Sequence, residues 1–162
     1  MKRLLVCLAF AFTPLTAAAS PELANQWGNE ASDLRERTAT MIASIDMGLQ
    51  AEMDDTYELD VYRFANTSAG LGVWIDQTEG PKDLGCIFRG MRAEADTQLG
   101  NLDDMSDPLT TRETLRRLST MFADAEMIAD AAQRRAPTPG LENETHSHSC
   151  PANLDAAMRA LR

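Results

Sequence analysis

The chain has 162 residues, of which 44% are hydrophobic, and its 25 acidic against 15 basic side chains give a net charge of −10. A surface of that sign repels nucleic acid and anionic membranes, so neither is expected as a partner. His146 and His148 are the only histidines. Their position near the C-terminus excludes a catalytic triad, a di-iron site or a haem attachment motif in the rest of the chain.

The N-terminal segment, residues 1–19, has the features of a secretory signal peptide. Lys2 and Arg3 precede an apolar run of about a dozen residues, shorter than the roughly 20 that a membrane-spanning helix needs. Three alanines follow, and cleavage is predicted before Ser20. Cleavage removes two bases and no acid, which leaves a net charge of −12. We expect a periplasmic or secreted protein of a Gram-negative bacterium, with no membrane contact after cleavage.

Helical periodicity dominates the rest of the chain. Apolar residues step alternately by three and four positions through residues 23–45, 57–75, 84–102 and 115–132, which places each set on one face of a helix. Polar turn residues separate these stripes, and no segment alternates with a period of two. The sequence therefore predicts an all-α fold, an antiparallel four-helix bundle formed by residues 20–135.

Residues at the ends and in the interior of the stripes give finer expectations. Ser20 is predicted to cap the first helix, Asp55 the second and Thr110 the fourth, the last two in capping boxes with an acid three residues later. Gly28 is expected to bend or interrupt the first helix. Small residues around Gly72 in the second helix are interpreted as a site of close helix contact.

Two sets of side chains within the predicted bundle allow more than one interpretation. Thr38, Ser68 and Gln98 occupy stripe positions and could line a polar pocket in the core. For the first two, a hydrogen bond to the backbone of their own helix is the favoured interpretation. The eight methionines of residues 20–162 are interpreted as adaptable core filler. Thioethers also bind Cu(I), and exposed methionines could line a groove for a hydrophobic partner.

The C-terminal tail, residues 136–162, differs in composition from the predicted bundle. It begins with a polar linker that contains Pro137 and Pro139, and a short amphipathic fifth helix is predicted after the linker. Cys86 and Cys150 are the two cysteines left after signal cleavage, and an oxidising compartment favours a disulfide between them. We predict that this disulfide ties the tail back onto the outer face of the third helix.

The tail also contains a candidate metal site. Four potential ligands alternate along it: Glu144, His146, His148 and Cys150. In an extended chain such side chains point to the same side. Imidazole suits copper, zinc and nickel, so His146 and His148 with Glu144 could hold one of these metals. Cys150 cannot bind a metal and form the disulfide at the same time, and a polar tether that leads to the disulfide is the alternative interpretation.

The function predicted from the sequence is binding rather than catalysis. The carboxylate pairs at residues 54–55 and 103–104 could support acid–base chemistry, but they are interpreted as helix caps and solvated turns. Without a catalytic set in the bundle, the sequence favours a non-enzymatic protein that binds an unknown protein or small ligand through a helical face or groove. The alternatives are a periplasmic metal-handling protein that uses the tail for copper, zinc or nickel, and an enzyme that uses carboxylates alone.

Overall fold

The computed structural model describes residues 20–134, and this part of the chain forms four α-helices. Helix α1 spans Pro21–Asp46, α2 spans Tyr57–Gln77, α3 spans Lys82–Leu102 and α4 spans Pro108–Arg134. The part described contains no strand, so the predicted all-α fold is confirmed. None of the four helices is long and apolar enough to cross a membrane. The predicted signal peptide, linker and fifth helix lie outside the described residues.

The helices pack as a bundle in which chain neighbours are also spatial neighbours. Helices α1 and α3 each contact both α2 and α4, with the most extensive contacts between α1 and α4 and between α2 and α3. At one end Arg112 of α4 forms an ion pair with Asp46 of α1. At the other end Gln133 donates a hydrogen bond to Asn25 at 3.4 Å. Helices α1 and α4 are therefore antiparallel. Successive helices are antiparallel as well, because the connections between them are short.

One large aromatic side chain from each helix contributes to the centre of the core. The rings of Trp27 and Phe64 stack at 4.8 Å between centroids. Phe88 meets Trp27, and Phe122 meets Phe64, each edge to face at 5.2 Å. The indole N–H of Trp27 donates to the carbonyl oxygen of Phe64 at 3.1 Å. Such ring pairs contribute about 0.5–1.5 kcal/mol beyond the burial of their area, and here they join the α1–α4 pair to the α2–α3 pair.

The buried polar residues of the stripes differ in the helix to which they bond. Thr38 donates at 2.6 Å to the carbonyl oxygen four residues earlier in its own helix, as predicted. Ser68 instead donates to the carbonyl oxygen of Phe88 in α3 at 2.8 Å. The predicted bond to its own helix is wrong because the α3 backbone passes close enough to accept the proton. Gln98 donates to Glu94 of its own helix at 2.8 Å.

Two glycines allow close contact between helices. Helix α1 continues through Gly28, so the predicted interruption there is wrong. A Cβ at Gly28 would lie 2.6 Å from the Cβ of Ala129, so α4 lies too close for a side chain at this position. At Gly72 an added Cβ would lie 3.3 Å from the carbonyl oxygen of Gly85. The predicted close contact at Gly72 is confirmed.

The structure confirms one predicted helix cap and corrects two. The Ser20 hydroxyl accepts the N–H three residues later at 3.2 Å. Helix α2 begins at residue 57 with Thr56 in the cap position, so Asp55 is not the cap. Asp107 rather than Thr110 caps α4, because its carboxylate accepts the N–H groups two and three residues later at 3.3 and 3.1 Å. The proline that follows Asp107 favours the first helical turn, so α4 starts before Thr110.

Candidate functional site

The α1–α2 and α3–α4 connections lie at the same end of the bundle, because α1 and α3 both run towards it. We call this the loop end and define it as residues 45–56 and 103–111. A cavity of about 180 Å³ lies between the two connections. Five of its eight lining residues are apolar and three carry neutral polar side chains: Ile45, Leu49, Gln50, Ala51, Met105, Ser106, Pro108 and Thr111. The loop end therefore contains a small cavity that presents both apolar side chains and hydrogen-bonding groups.

Three exposed apolar side chains belong to the loop end, and one of them, Leu49, lines the cavity. Met47, Leu49 and Leu109 have exposures of 69%, 59% and 76%. Met53 and Met105, from the same two connections, are half-buried against the core. Large apolar side chains in water are unfavourable, and a patch of them marks a binding surface more often than a single exposed residue does. The loop end is therefore the candidate functional site.

Gly48 determines how Leu49 reaches the cavity. Helix α1 ends at Asp46, and Gly48 adopts a φ of +75°, a left-handed conformation that glycine accepts without strain. The Gly48 N–H donates to the carbonyl oxygen of Ile45 at 2.9 Å, and the Leu49 N–H donates to that of Ser44 at 3.0 Å. These two bonds form a Schellman motif, which ends the helix. The chain then turns and places Leu49 in the cavity lining.

Acidic residues lie between the cavity-lining residues in the sequence, and residues 45–56 and 103–111 contain no base. We call these acids the acidic rim: Asp46, Glu52, Asp54, Asp55, Asp103, Asp104 and Asp107. Arginines of neighbouring helices pair with two of them, Arg112 with Asp46 and Arg37 with Asp54. Because five members have no such partner among residues 20–134, the rim keeps a negative charge.

Hydrogen bonds within the α3–α4 connection hold two rim acids in their ionised form. The hydroxyl and then the N–H of Ser106 lower the pKa of Asp104. The hydroxyl and N–H of Thr110, followed by the N–H of Leu109, lower the pKa of Asp107. A carboxylate that accepts such bonds is stabilised in its charged form. Both acids therefore stay negative at neutral pH, and each is adjacent in the sequence to a residue that lines the cavity.

A polar cluster around Arg37 fixes the α1–α2 connection against the bundle. The guanidinium of Arg37 bonds to Asp60 at 2.9 Å and to Asp54 at 2.8 Å, and it lies over the ring of Tyr57 at 5.3 Å from the centroid. Burial raises the pKa of Tyr57 to about 12. Burial and the nearby charge of Asp60 raise the pKa of Glu30. The arginine is bonded to its carboxylates, so this cluster is interpreted as structural.

Of the residues predicted to form a site, only Cys86 lies in the part of the chain that the structure describes. Cys86 is half-buried on α3, and its sulfur accepts a hydrogen bond from Arg89 at 3.5 Å. The remaining predicted site residues lie outside the described residues: Glu144, His146, His148 and Cys150. The metal site and the disulfide therefore stay predictions.

Helical periodicity does not single out the loop end. Met47 and Leu109 lie outside the four stripes, in segments made mainly of acids and turn residues. The closest expectation from the sequence is that exposed methionines line a groove, but the methionine in the cavity lining, Met105, is half-buried. Large apolar side chains beside Gly48 and Pro108 are the signal that could have indicated this site.

Comparison with known proteins assigns neither a family nor a function to the chain. No protein-family model matches the chain, and neither a curated protein nor a solved structure matches it. Among residues 20–134, no group of three or more histidine, cysteine, aspartate and glutamate side chains is arranged to hold a metal ion. Function is therefore inferred from the geometry and charge of the loop end.

Proposed function

We propose that this chain is an exported, non-enzymatic interaction protein that binds its partner at the loop end. The observation that carries this proposal is the cavity, with Leu49 in its lining and Met47 and Leu109 exposed elsewhere in the loop end. The other large apolar side chains that the described bundle exposes lie on α2 and α4, outside the loop end. A binding surface at one end of a bundle leaves the packed core unchanged.

The polar groups of the cavity support binding rather than catalysis. Gln50, Ser106 and Thr111 are neutral groups that can donate or accept hydrogen bonds. The Thr111 hydroxyl already donates to the carbonyl oxygen of Asp107 at 2.9 Å. Ser106 bonds to Asp104, whose lowered pKa makes it a weak base. A serine nucleophile needs a stronger base than this carboxylate.

Site-specific photo-crosslinking in cells tests where the partner binds. A photoreactive phenylalanine analogue replaces Leu49 or Leu109, and the same analogue at Val73 or Met127 is the control, since both are exposed apolar residues away from the cavity. We expect one discrete adduct, identified by mass spectrometry, from the two loop-end positions. The proposal fails if all four positions give the same adducts, or if the loop-end positions give none.

We also propose that the mature chain begins at Ser20 and that a Cys86–Cys150 disulfide ties a short fifth helix to α3. Cys86 lies two positions from Leu84 and Phe88, which are fully buried, so its side chain points away from the core. The intact mass of the exported protein should be lower than that of its reduced form by two hydrogen atoms. A free thiol in that protein would contradict the disulfide.

A further inference from the structure

We propose that the loop end binds a cationic segment of another protein, which inserts one large apolar side chain into the cavity. This inference rests on the proposed function and adds the chemistry of the partner. It is carried by a cavity with five apolar lining residues and by the acidic rim, which belong to the same two connections. A buried apolar anchor provides most of the affinity at such a site, and charge complementarity selects and orients the partner.

The size and lining of the cavity fit an anchor of one side chain. A cavity of roughly 150 Å³ can hold benzene. The cavity of about 180 Å³ therefore has room for a leucine, methionine or phenylalanine side chain. Met105 in the lining is flexible and adapts to the shape of an entering group. Gln50 and Ser106 can bond to the backbone of the segment that carries the anchor.

The charge of the rim favours lysine and arginine next to that anchor. Glu52, Asp55 and Asp103 are exposed and form no ion pair with a described residue. The arginines near the rim are bonded to other acids and do not neutralise these three. Carboxylates around an apolar contact attract a basic segment and disfavour an acidic one, because like charges would have to be brought together.

Other occupants fit this charge less well. A second copy of the chain would place its own acidic rim against this one. Residues 135–162 contain three arginines and three acids, so they have no excess of positive charge. Helix α4, which leads to them, also ends at the opposite end of the bundle. An anionic membrane surface would be repelled by the rim. A basic segment of a different protein is the remaining choice.

Synthetic helical peptides of lysine and leucine are a defined probe for this site. The test peptide has leucines on one face and lysines on the other. One control peptide has glutamates in place of the lysines, and a second has serines in place of the leucines. Calorimetric titration of the mature, oxidised protein gives the Kd of each. We expect only the lysine–leucine peptide to bind, about tenfold more weakly when salt rises from about 50 to about 500 mM.

Two double variants separate the rim from the overall charge of the protein. Glu52→Gln/Asp103→Asn removes two exposed rim charges, and Glu79→Gln/Asp83→Asn removes two exposed charges at the opposite end. We expect the rim variant to weaken binding of the lysine–leucine peptide by about five- to tenfold, and the control variant by about twofold or less. Equal losses would overturn the proposal, since they would show attraction by net charge alone.

A third variant, Leu49→Ser/Leu109→Ser, tests the apolar part of the site. We expect it to abolish peptide binding. If the glutamate–leucine peptide binds wild type as tightly as the lysine–leucine peptide, the cationic partner is rejected while the loop end stands as a binding surface. If peptide binding is insensitive to Leu49→Ser/Leu109→Ser, the loop end itself is rejected, and the proposed function fails with it.

Discussion

Gly28 is a residue whose role follows from one interatomic distance. A Cβ there would lie 2.6 Å from the Cβ of Ala129. We expect Gly28→Ala to lower the free energy of unfolding by about 1–3 kcal/mol, because two helix backbones would have to move apart. At Gly70 nothing lies within 4 Å of an added Cβ, so Gly70→Ala should stabilise the helix by about 0.5–1 kcal/mol. Urea denaturation followed by circular dichroism measures both.

A second substitution checks the cause of that loss. Ala129→Gly makes room for the new methyl group, so the double variant Gly28→Ala/Ala129→Gly should recover part of the stability lost in Gly28→Ala. Unchanged stability in the single variant would contradict the close contact between α1 and α4.

Asp54 makes the free energy of unfolding depend on pH in the acid range. Hydrogen bonds from the hydroxyl and N–H of Thr56, and then from Arg37, lower the pKa of Asp54 from its ordinary 3.8 to about 2. A carboxylate with a lowered folded-state pKa stabilises the fold above its unfolded pKa, and this contribution is lost as the pH falls through the folded value. The free energy of unfolding should therefore decrease between pH 3.8 and about 2.

Chemical denaturation at a series of acid pH values checks this dependence on Asp54. Asp54→Asn should make the decrease smaller. Asp55→Asn alters the next residue, which forms no hydrogen bond within the described chain, and should leave the decrease unchanged. The assignment to Asp54 would be wrong if the two variants gave the same pH profile.

The start of α4 depends on Asp107, whose carboxylate accepts two backbone N–H groups of the first turn. We expect Asp107→Ala to lower the free energy of unfolding by about 0.5–2 kcal/mol, as the loss of an N-cap does. Glu113→Ala should have a smaller effect, because Glu113 forms only an exposed ion pair with Arg117. Thermal unfolding compares the two variants. If Glu113→Ala lowered the stability more than Asp107→Ala, the predicted capping box of Thr110 and Glu113 would be supported instead.

The four helices were predictable from the sequence because each buries one face, and the apolar residues of that face recur every three or four positions. Their starts were less predictable. Asp54, Asp55 and Thr56 are all good capping residues, and spacing alone does not choose among them. The bond from Ser68 to the carbonyl of Phe88 was not predictable either, since it depends on which helix lies beside α2.

The loop end exists only in the folded molecule. Leu49 and Met105 are more than 50 positions apart in the sequence, yet both line one cavity because α1 and α3 end at the same end of the bundle. Periodicity describes the faces of single helices and says nothing about which connections meet. The acids of the two connections are evident from the sequence. Their proposed role in binding depends on the apolar residues that the folded bundle brings to the same end.

The loop end can be separated from the stability of the whole bundle by experiment. Leu49 and Leu109 are more than half exposed, so Leu49→Ser/Leu109→Ser should change the free energy of unfolding by less than about 0.5 kcal/mol. Leu34→Ala, at a fully buried position, should cost about 2–5 kcal/mol. Guanidinium denaturation of both variants is the measurement. A loss above about 1 kcal/mol in the loop-end variant would mean that these side chains stabilise the fold. Unchanged stability together with lost peptide binding would mean that they serve to bind a partner.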